Sequence, residues 1–364
     1  MDIKNYKKKT NNVYTNLYKN KYLYHPVLIN IFSQMLKKNF KDLKIDYKEI
    51  KNLKVLNVGT GLEAVTMHKL GFKKIFHFDL NKKSSLNLKK YIKINKINNM
   101  FSKNIDVCEK IINIEEGVDL IYLQGVTHHF LKMKKGINNI LNNLNINGSF
   151  FIRNYRSGSL NYFIADFVRK FIQYNTIKYF NEVFYKKFKL FKYEDHKNEK
   201  SWKDHLYMLC FDNFYVPKLH LIETKKLNTY FKSGGFKQIN KNNMRVYDHN
   251  NFKPSNTLNN FIFKKVSKKK FLDKNNTFKH CDQLNDINYN EKYIKDTVSF
   301  FKKNLNKIKK LNTNKKILLA IELFEIADFN RFHLNIHNKK NKLNMFNTAE
   351  KVHLGFLNKI KEFI

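Results

Sequence analysis

The sequence is short of several residue types at once. Of its 70 Lys+Arg only five are arginine (Arg153, Arg156, Arg169, Arg245 and Arg331), and its 364 residues include 3 Pro, 11 Gly, 3 Cys and 1 Trp. Acids are also scarce, 30 against the 70 bases, which leaves a formal net charge of +40. Each shortage excludes something. Planar guanidinium forks are the usual readers of phosphates and bases. A chain that places nearly all its positive charge on lysine does not look built around nucleic acid, although the charge alone leaves such a partner open. The 53 Asn and the many Lys, Ile, Phe and Tyr all have A/T-rich codons, so codon bias is the simpler source of the charge. Cys108, Cys210 and Cys281 stand apart, without CxxC or Cys/His spacing. That excludes a disulfide framework and argues against structural zinc, and no metal site is expected. No apolar stretch follows the basic start MDIKNYKKKT, so no signal peptide is expected. The most apolar run, residues 317–329, carries Glu322, Glu325 and Asp328 and is too short and acidic to span a bilayer. The expectation is a soluble, cytoplasmic protein without a membrane span.

What is present is enough apolar material for a large core, 42% hydrophobic and 15% aromatic residues. Residues 1–50 have a helical pattern, with Tyr24, Val27, Ile31 and Met35 at steps of three and four. From Lys51 the texture changes. Short apolar runs at 54–58, 74–79, 101–105, 118–123 and 149–154 alternate with helical stretches at 63–70, 84–94 and 133–144. Such alternation predicts a parallel sheet with helices on both faces. After Arg153 it stops. Helical patterns return at 162–174 and 180–191, and two late strands are expected within 234–247 and 258–266 as an antiparallel pair. The run Lys264–Lys270 reads as a linker. Beyond it Ile294, Val298, Phe301, Leu305 and Ile308 form an amphipathic helical stripe. Asn347-Thr348-Ala349-Glu350 resembles a capping box opening a last helix.

The chemistry centres on KVLNVGTGLEAVTMHKLG, residues 54–71. A strand ends at Val58, a Gly59-Thr60-Gly61 turn follows, and a helix begins. In open α/β sheets ligands bind at the carboxyl ends of strands, and glycine lets them touch the main chain. The next strand ends in Asp79, 18 residues after Gly61, where a carboxylate can accept from two ribose hydroxyls. The third ends at Asn104-Ile105-Asp106, and the fourth leads into Gln124-Gly125-Val126-Thr127-His128-His129. A dinucleotide fold remains an alternative on spacing, with Ala64 at the third glycine position.

Taken in order, these motifs resemble a class I S-adenosylmethionine-dependent methyltransferase, in particular the small-molecule group that includes the ubiquinone/menaquinone-biosynthesis enzymes. NGSFFIRNYRSGS (147–159) is similar to the family's fifth strand, and SGGF (233–236) to the turn before its last strands. The resemblance covers roughly 51–266. It implies a Rossmann-like, mostly parallel, seven-stranded sheet with helices on both faces, plus an insertion and a C-terminal helical extension. It implies S-adenosylmethionine as cofactor, with Asn57, Gly59, Thr60 and Gly61 along its methionine part. Asp79 would hold the ribose, Leu80 would pack on adenine, Asp106 would take the adenine amino group, and Gln124 and Gly125 would flank the sulfonium. The family commonly has an acid where Asn57 stands and a third glycine near Glu63. Transfer to a hydroxyl is helped by a general base, and His128 and His129 are the candidates in the matched core.

The domain boundaries expected are a helical segment at 1–50, the cofactor-binding core at 51–154, and a substrate-lid insertion at 155–233. The closing strands at 234–266 and a linker with helical extension at 267–364 complete them. In the insertion, Trp202, Asp204, His205, Asp212, Tyr215 and His220 read either as pocket walls or as a satellite core. Arg153 and Arg156, surviving where lysine is the rule, are candidates to clamp an acidic acceptor, with Tyr215 beside it. The function expected is methyl transfer to an O or N atom of a small molecule. An RNA or protein methyltransferase and a non-catalytic scaffold are the alternatives, and the C-terminal helices could form a homodimer.

Overall fold

The computed structural model describes residues 3–17, 24–42, 45–158, 160–188, 211–217, 219–239, 258–273, 276–289, 292–327 and 349–364. The helices of the first half are α1 (Ile3–Leu17), α2 (Pro26–Asp42), α3 (Leu62–Lys69), α4 (Lys82–Ile94) and α5 (Met133–Leu141). They are followed by α6 (Leu160–Val168), α7 (Ile177–Phe188), α8 (Thr224–Ser233), α9 (Lys292–Lys310), α10 (Thr313–Ala327) and α11 (Ala349–Phe363). The chain divides into two compact units. One comprises Met1–Tyr155, Ile222–Val246 and Leu258–Lys279, and the other comprises Arg156–Leu221, Tyr247–Thr257 and His280–Ile364.

Near-continuous apolar strands need cover on both faces, and the first unit supplies it. β1 (Lys54–Val58), β2 (Lys74–Asp79), β3 (Met100–Asn104), β4 (Val118–Gln124) and β5 (Leu144–Tyr155) run parallel. β6 (Phe236–Gln238) and β7 (Leu258–Lys265) close the sheet antiparallel, in the order β3-β2-β1-β4-β5-β7-β6. The alternation predicts the parallel part of this sheet, and the family resemblance implies its Rossmann-like, seven-stranded form. Period-two alternation splits the strand side chains between two cores. Val55, Leu120, Tyr122, Phe151 and Ile262 pack in one with Phe40 of α2 and Val65 of α3. Leu56, Leu123, Phe150, Ile152 and Phe263 pack in the other with Ile137 of α5 and Phe231 of α8. Tyr122 and Phe151 stack across β4 and β5 with ring centroids 4.4 Å apart.

Some boundaries differ from the sequence expectation. The helix expected to reach Leu144 stops at Leu141, because Leu144 already pairs with Val118 as the first residue of β5. Residues after Asp106 form a turn, with the N–H groups of Glu109 and Lys110 both donating to the Asp106 carbonyl. Lys264 and Lys265 belong to β7 rather than to a linker. Lys265 is buried and donates to the Leu144 carbonyl at 2.5 Å, and burial lowers its pKa. Residues 240–247 of the expected late strand lie outside the described residues, as do Asn347 and Thr348 of the capping box.

The second unit is helical. Ile294, Val298, Phe301 and Ile308 of the α9 stripe are buried, with Phe301 against Phe163 and Phe167 of α6 and near Phe356 of α11. Lys187 of α7 is paired by Glu322 and Glu325 of α10. Among the described residues no helix is long and apolar enough to cross a membrane.

Candidate active site

The strand order turns back between β1 and β4, which is where an open α/β sheet leaves a crevice at its carboxyl edge. Gly59 and Gly61 have φ of 137° and 83°, values that side chains other than glycine rarely adopt. Their roles differ. A Cβ on Gly59 would meet nothing within 4 Å, so its backbone is open to an incoming group. On Gly61 a Cβ would lie 2.9 Å from Leu88 Cδ2 and 3.1 Å from the Tyr24 hydroxyl, so this glycine serves packing. Gly61→Ala is expected to destabilise the protein by about 1–3 kcal/mol, mainly through left-handed backbone strain, seen as a lower urea midpoint at unchanged slope.

The glycine turn is held from below. His77 Nε2 is 2.8 Å from the Gly59 carbonyl, and Nδ1 is 3.1 Å from Ser102 Oγ. Burial lowers its pKa to about 4, so near neutral pH the ring is uncharged. A neutral ring donating to the carbonyl carries its proton on Nε2 and accepts at Nδ1 from the Ser102 hydroxyl. The Thr60 carbonyl accepts from Ser84 Oγ and from the Tyr24 hydroxyl, each at 3.2 Å. Asn104 Nδ2 donates to the carbonyls of Asp79 and Leu80 at 2.8 and 2.9 Å, pinning the end of β2.

A cavity of about 110 Å³ opens above this turn, and all its lining residues belong to the first unit. It brings together Gly59, Thr60, Asp79, Leu80, Asp106, Gln124, Gly125 and His129 of the expected site. Asp79 Oδ1 accepts from the Asn81 N–H at 2.8 Å, while Oδ2 is buried without a hydrogen-bond partner. Burial pushes the Asp79 carboxyl up to about 7 against the Asn81 hydrogen bond and the nearby Ser84 hydroxyl, whose proton goes to the Thr60 carbonyl, and Glu63 adds to the rise. Glu63 lines the same cavity, and burial pushes it to about 7 as well.

The helix α1 forms one wall through Tyr6, Thr10, Asn11 and Tyr14, which sequence reasoning missed. It is latched at three strand ends. Lys7 pairs with Asp106 at 3.2 Å and with Glu109. Asn81 Nδ2 donates to the Asn11 carbonyl at 3.2 Å and to Thr15 Oγ1 at 3.1 Å. Tyr6 donates its hydroxyl proton to the His129 carbonyl. These pairs lie 66 to 123 residues apart in the chain, beyond any local pattern. Asp106 is thus already engaged, its Oδ1 accepting from the Cys108 N–H at 2.9 Å and its Oδ2 facing Lys7.

Several expected site residues sit away from the cavity. Asn57 is 1% exposed, does not line it, and donates from Nδ2 to the Tyr122 carbonyl at 3.1 Å, stapling β1 to β4. His128 is fully buried, stacked on Tyr155 with centroids 3.5 Å apart, and touches His129 edge-on at 4.0 Å. Of the two histidines only His129 borders the cavity. Gln124 does border it, but its Oε1 accepts from the Tyr122 hydroxyl at 2.6 Å. Arg153 lies over the Phe151 ring at 5.7 Å and is not in the lining. Arg156 belongs to the second unit, so the two arginines are not brought together as one clamp within a unit.

Tyr215 is a core residue of that second unit, 4% exposed, edge-on to Phe180 and 3.1 Å from Thr176 Oγ1. Phe214, Val216, Leu219 and Leu221 around it are buried too, so this part of the insertion is a satellite core. His220 is also buried, its ring 6.4 Å from that of His280. Trp202, Asp204 and His205 lie outside the described residues.

The first unit thus has the sheet and carboxyl-edge cavity of a Rossmann-like fold. No family model matches the chain, and no curated protein matches it. Solved structures do. The PKMT2 structure from Rickettsia typhi is similar over 61% of this chain and 51% of its own, at 13% identity and a TM-score of 0.40. An S-adenosylmethionine-dependent methyltransferase from Clostridium acetobutylicum is similar over 35% and 57%, at 20% identity and a TM-score of 0.26. One from Mesorhizobium loti covers 31% and 50%, at 15% identity and a TM-score of 0.28. The matched segment spans about half the length of the YcgJ protein of Bacillus subtilis, 51%, and 39% of the [4+2]-cyclase SpnF. At such identities the likeness is one of fold.

Proposed function

We propose that the chain is an S-adenosylmethionine-dependent methyltransferase acting on an O or N atom of a small-molecule acceptor. The observation that carries this reading is Asp79 Oδ2, a buried, unpartnered acceptor on a cavity at the carboxyl edge of the sheet. An orphaned buried carboxylate oxygen is costly unless a ligand satisfies it, and a pair of ribose hydroxyls would. The open backbone of Gly59 supplies the close approach a ligand needs there. The residues present therefore fit the cofactor, which would supply an already activated methyl group.

This chain's residues would then do the rest. Asp79 accepts from the ribose, and Leu80 packs on the adenine. Asp106 keeps lone-pair capacity for the adenine amino group while paired with Lys7. Gly59 and Gly125 let the thioether end lie on backbone. His129 is placed to hold or move a proton at the acceptor, and His128 positions it by ring contact. A cavity walled by α1 suits a small acceptor. Calorimetry with S-adenosylmethionine and S-adenosylhomocysteine tests the reading. Binding in the micromolar range or tighter is the expected result, and no binding of either overturns it.

A further inference from the structure

Among the described residues, the cavity is lined by two buried carboxylates and by no cation. Asp79 and Glu63 are each 8% exposed, and neither makes an ion pair among the described residues, in a chain of net charge +40. With bases so abundant, a lysine partner would have been easy to place. Asp106, on the same cavity, has one in Lys7. Glu63 has its own backbone N–H and a long contact from Thr60 Oγ1, 3.5 Å from Oε2, and neither brings a positive charge. It lies in the first turn of α3, directly after the glycine turn. Two unpaired carboxylates side by side repel each other and lose hydration. A ligand that satisfies both must bring hydrogen-bond donors to one and positive charge to the other.

Asp79, at the end of β2, takes the hydroxyl role. Positive charge is then left for Glu63. The strand-end position that ought to meet it is held by Asn57, which is uncharged, donates to the Tyr122 carbonyl and does not border the cavity. Resting on the methyltransferase reading, we propose that Glu63 anchors the ammonium group of the cofactor's amino-acid end. The anchor thus sits on a helix rather than on a strand, and Asn57 is left as a β1–β4 staple.

The test compares S-adenosylhomocysteine with its deaminated analogue, in which hydrogen replaces the ammonium, by calorimetry on wild type and Glu63→Gln. Wild type is expected to favour the ammonium-bearing ligand by roughly 30-fold, the scale of a buried charge-assisted hydrogen bond. Glu63→Gln is expected to shrink that preference to within about threefold while keeping the wild-type affinity for the deaminated analogue, which also reports that the variant is folded. An unchanged preference in Glu63→Gln overturns the proposal and leaves the methyltransferase reading standing. Equal loss of both ligands overturns it too, since Glu63 would then serve the fold. Failure of wild type to bind either ligand overturns the methyltransferase reading, and this inference with it.

Discussion

Asp79→Asn is expected to weaken S-adenosylhomocysteine binding by roughly 100-fold or more while making the ligand-free protein more stable above pH 7. Both effects come from the same oxygen. The Asn81 N–H requires an acceptor, so the new amide turns its oxygen to the place of Oδ1. Its NH₂ then replaces Oδ2 on the cavity, and two ribose hydroxyls meet a donor where they need an acceptor. Two charge-assisted hydrogen bonds are lost, each worth about 1.5–3 kcal/mol. In the ligand-free protein the variant removes a buried carboxylate that no cation offsets, which outweighs the unpaired amide by about 2 kcal/mol at pH 8. Calorimetry and urea unfolding at pH 8 check the pair. A variant that binds normally would show that Asp79 is an ordinary loop residue. Such opposition between binding and stability is the usual mark of a functional site.

The stability of the ligand-free protein is expected to fall as pH rises from about 4.5 to 7. Glu63 and Asp79 move from ordinary values of 4.5 and 3.8 up to about 7 in the folded state, chiefly by burial. In that window the unfolded chain has released both protons and the folded chain still holds them. Fewer protons are bound unfolded than folded, so the unfolding free energy falls with pH. Below the window both states are protonated and nothing is lost, and above it the full cost is present. The rises bound the cost at about 3 kcal/mol for Glu63 and about 4 kcal/mol for Asp79. The groups facing the pair do not reverse the sign. The Tyr24 hydroxyl is pushed up by burial and stays neutral. His77, lowered from 6.5 to about 4, opposes the fall between those values, because there the unfolded ring binds a proton that the folded ring does not, but one histidine offsets only one of the two carboxyls. Glu109, held low chiefly by its hydrogen bond from Lys7, acts only at lower pH. Urea midpoints at pH 5, 6, 7 and 8 measure the fall. The double variant Asp79→Asn/Glu63→Gln is expected to lose the fall and to rise up to about pH 6.5 through His77 alone, and a wild-type curve that matches the variant's would count against burial of the charges. Saturation with S-adenosylhomocysteine is expected to steepen neither curve, because its ammonium favours the ionised form of Glu63.

Much of the core was legible in the sequence because its signals are local. The runs at 54–58, 74–79 and 118–123 are too apolar for half-exposed strands and too short for helices, and all three appear as parallel strands. Asp79 was legible because a strand, a glycine turn and a following acid lie in sequence order. The face each strand turns to which core follows from alternation alone. What was not legible depends on segments far apart. Asn57 stands in the glycine motif, yet its Nδ2 is committed to β4 and its side chain does not border the cavity. Tyr215 looks like a pocket wall among polar neighbours, yet its ring is spent on Phe180. The wall formed by α1 has no sequence signal, since Tyr6, Asn11 and Tyr14 are ordinary helix residues until the helix meets the strand ends.

By itself, then, the sequence determined the class of fold, the position of the crevice and the acid at the end of β2. These follow from periodicity and turn chemistry within windows of about 20 residues. Only the tertiary structure decided which polar groups remain unspent. It committed the Asn57 Nδ2 and Tyr215 to partners within the fold, paired Asp106 with Lys7, and left Asp79 and Glu63 on one cavity without a cation among the described residues. Whether a side chain is a partner within the fold or is kept for a ligand depends on what else is buried beside it, and that is a property of the folded chain.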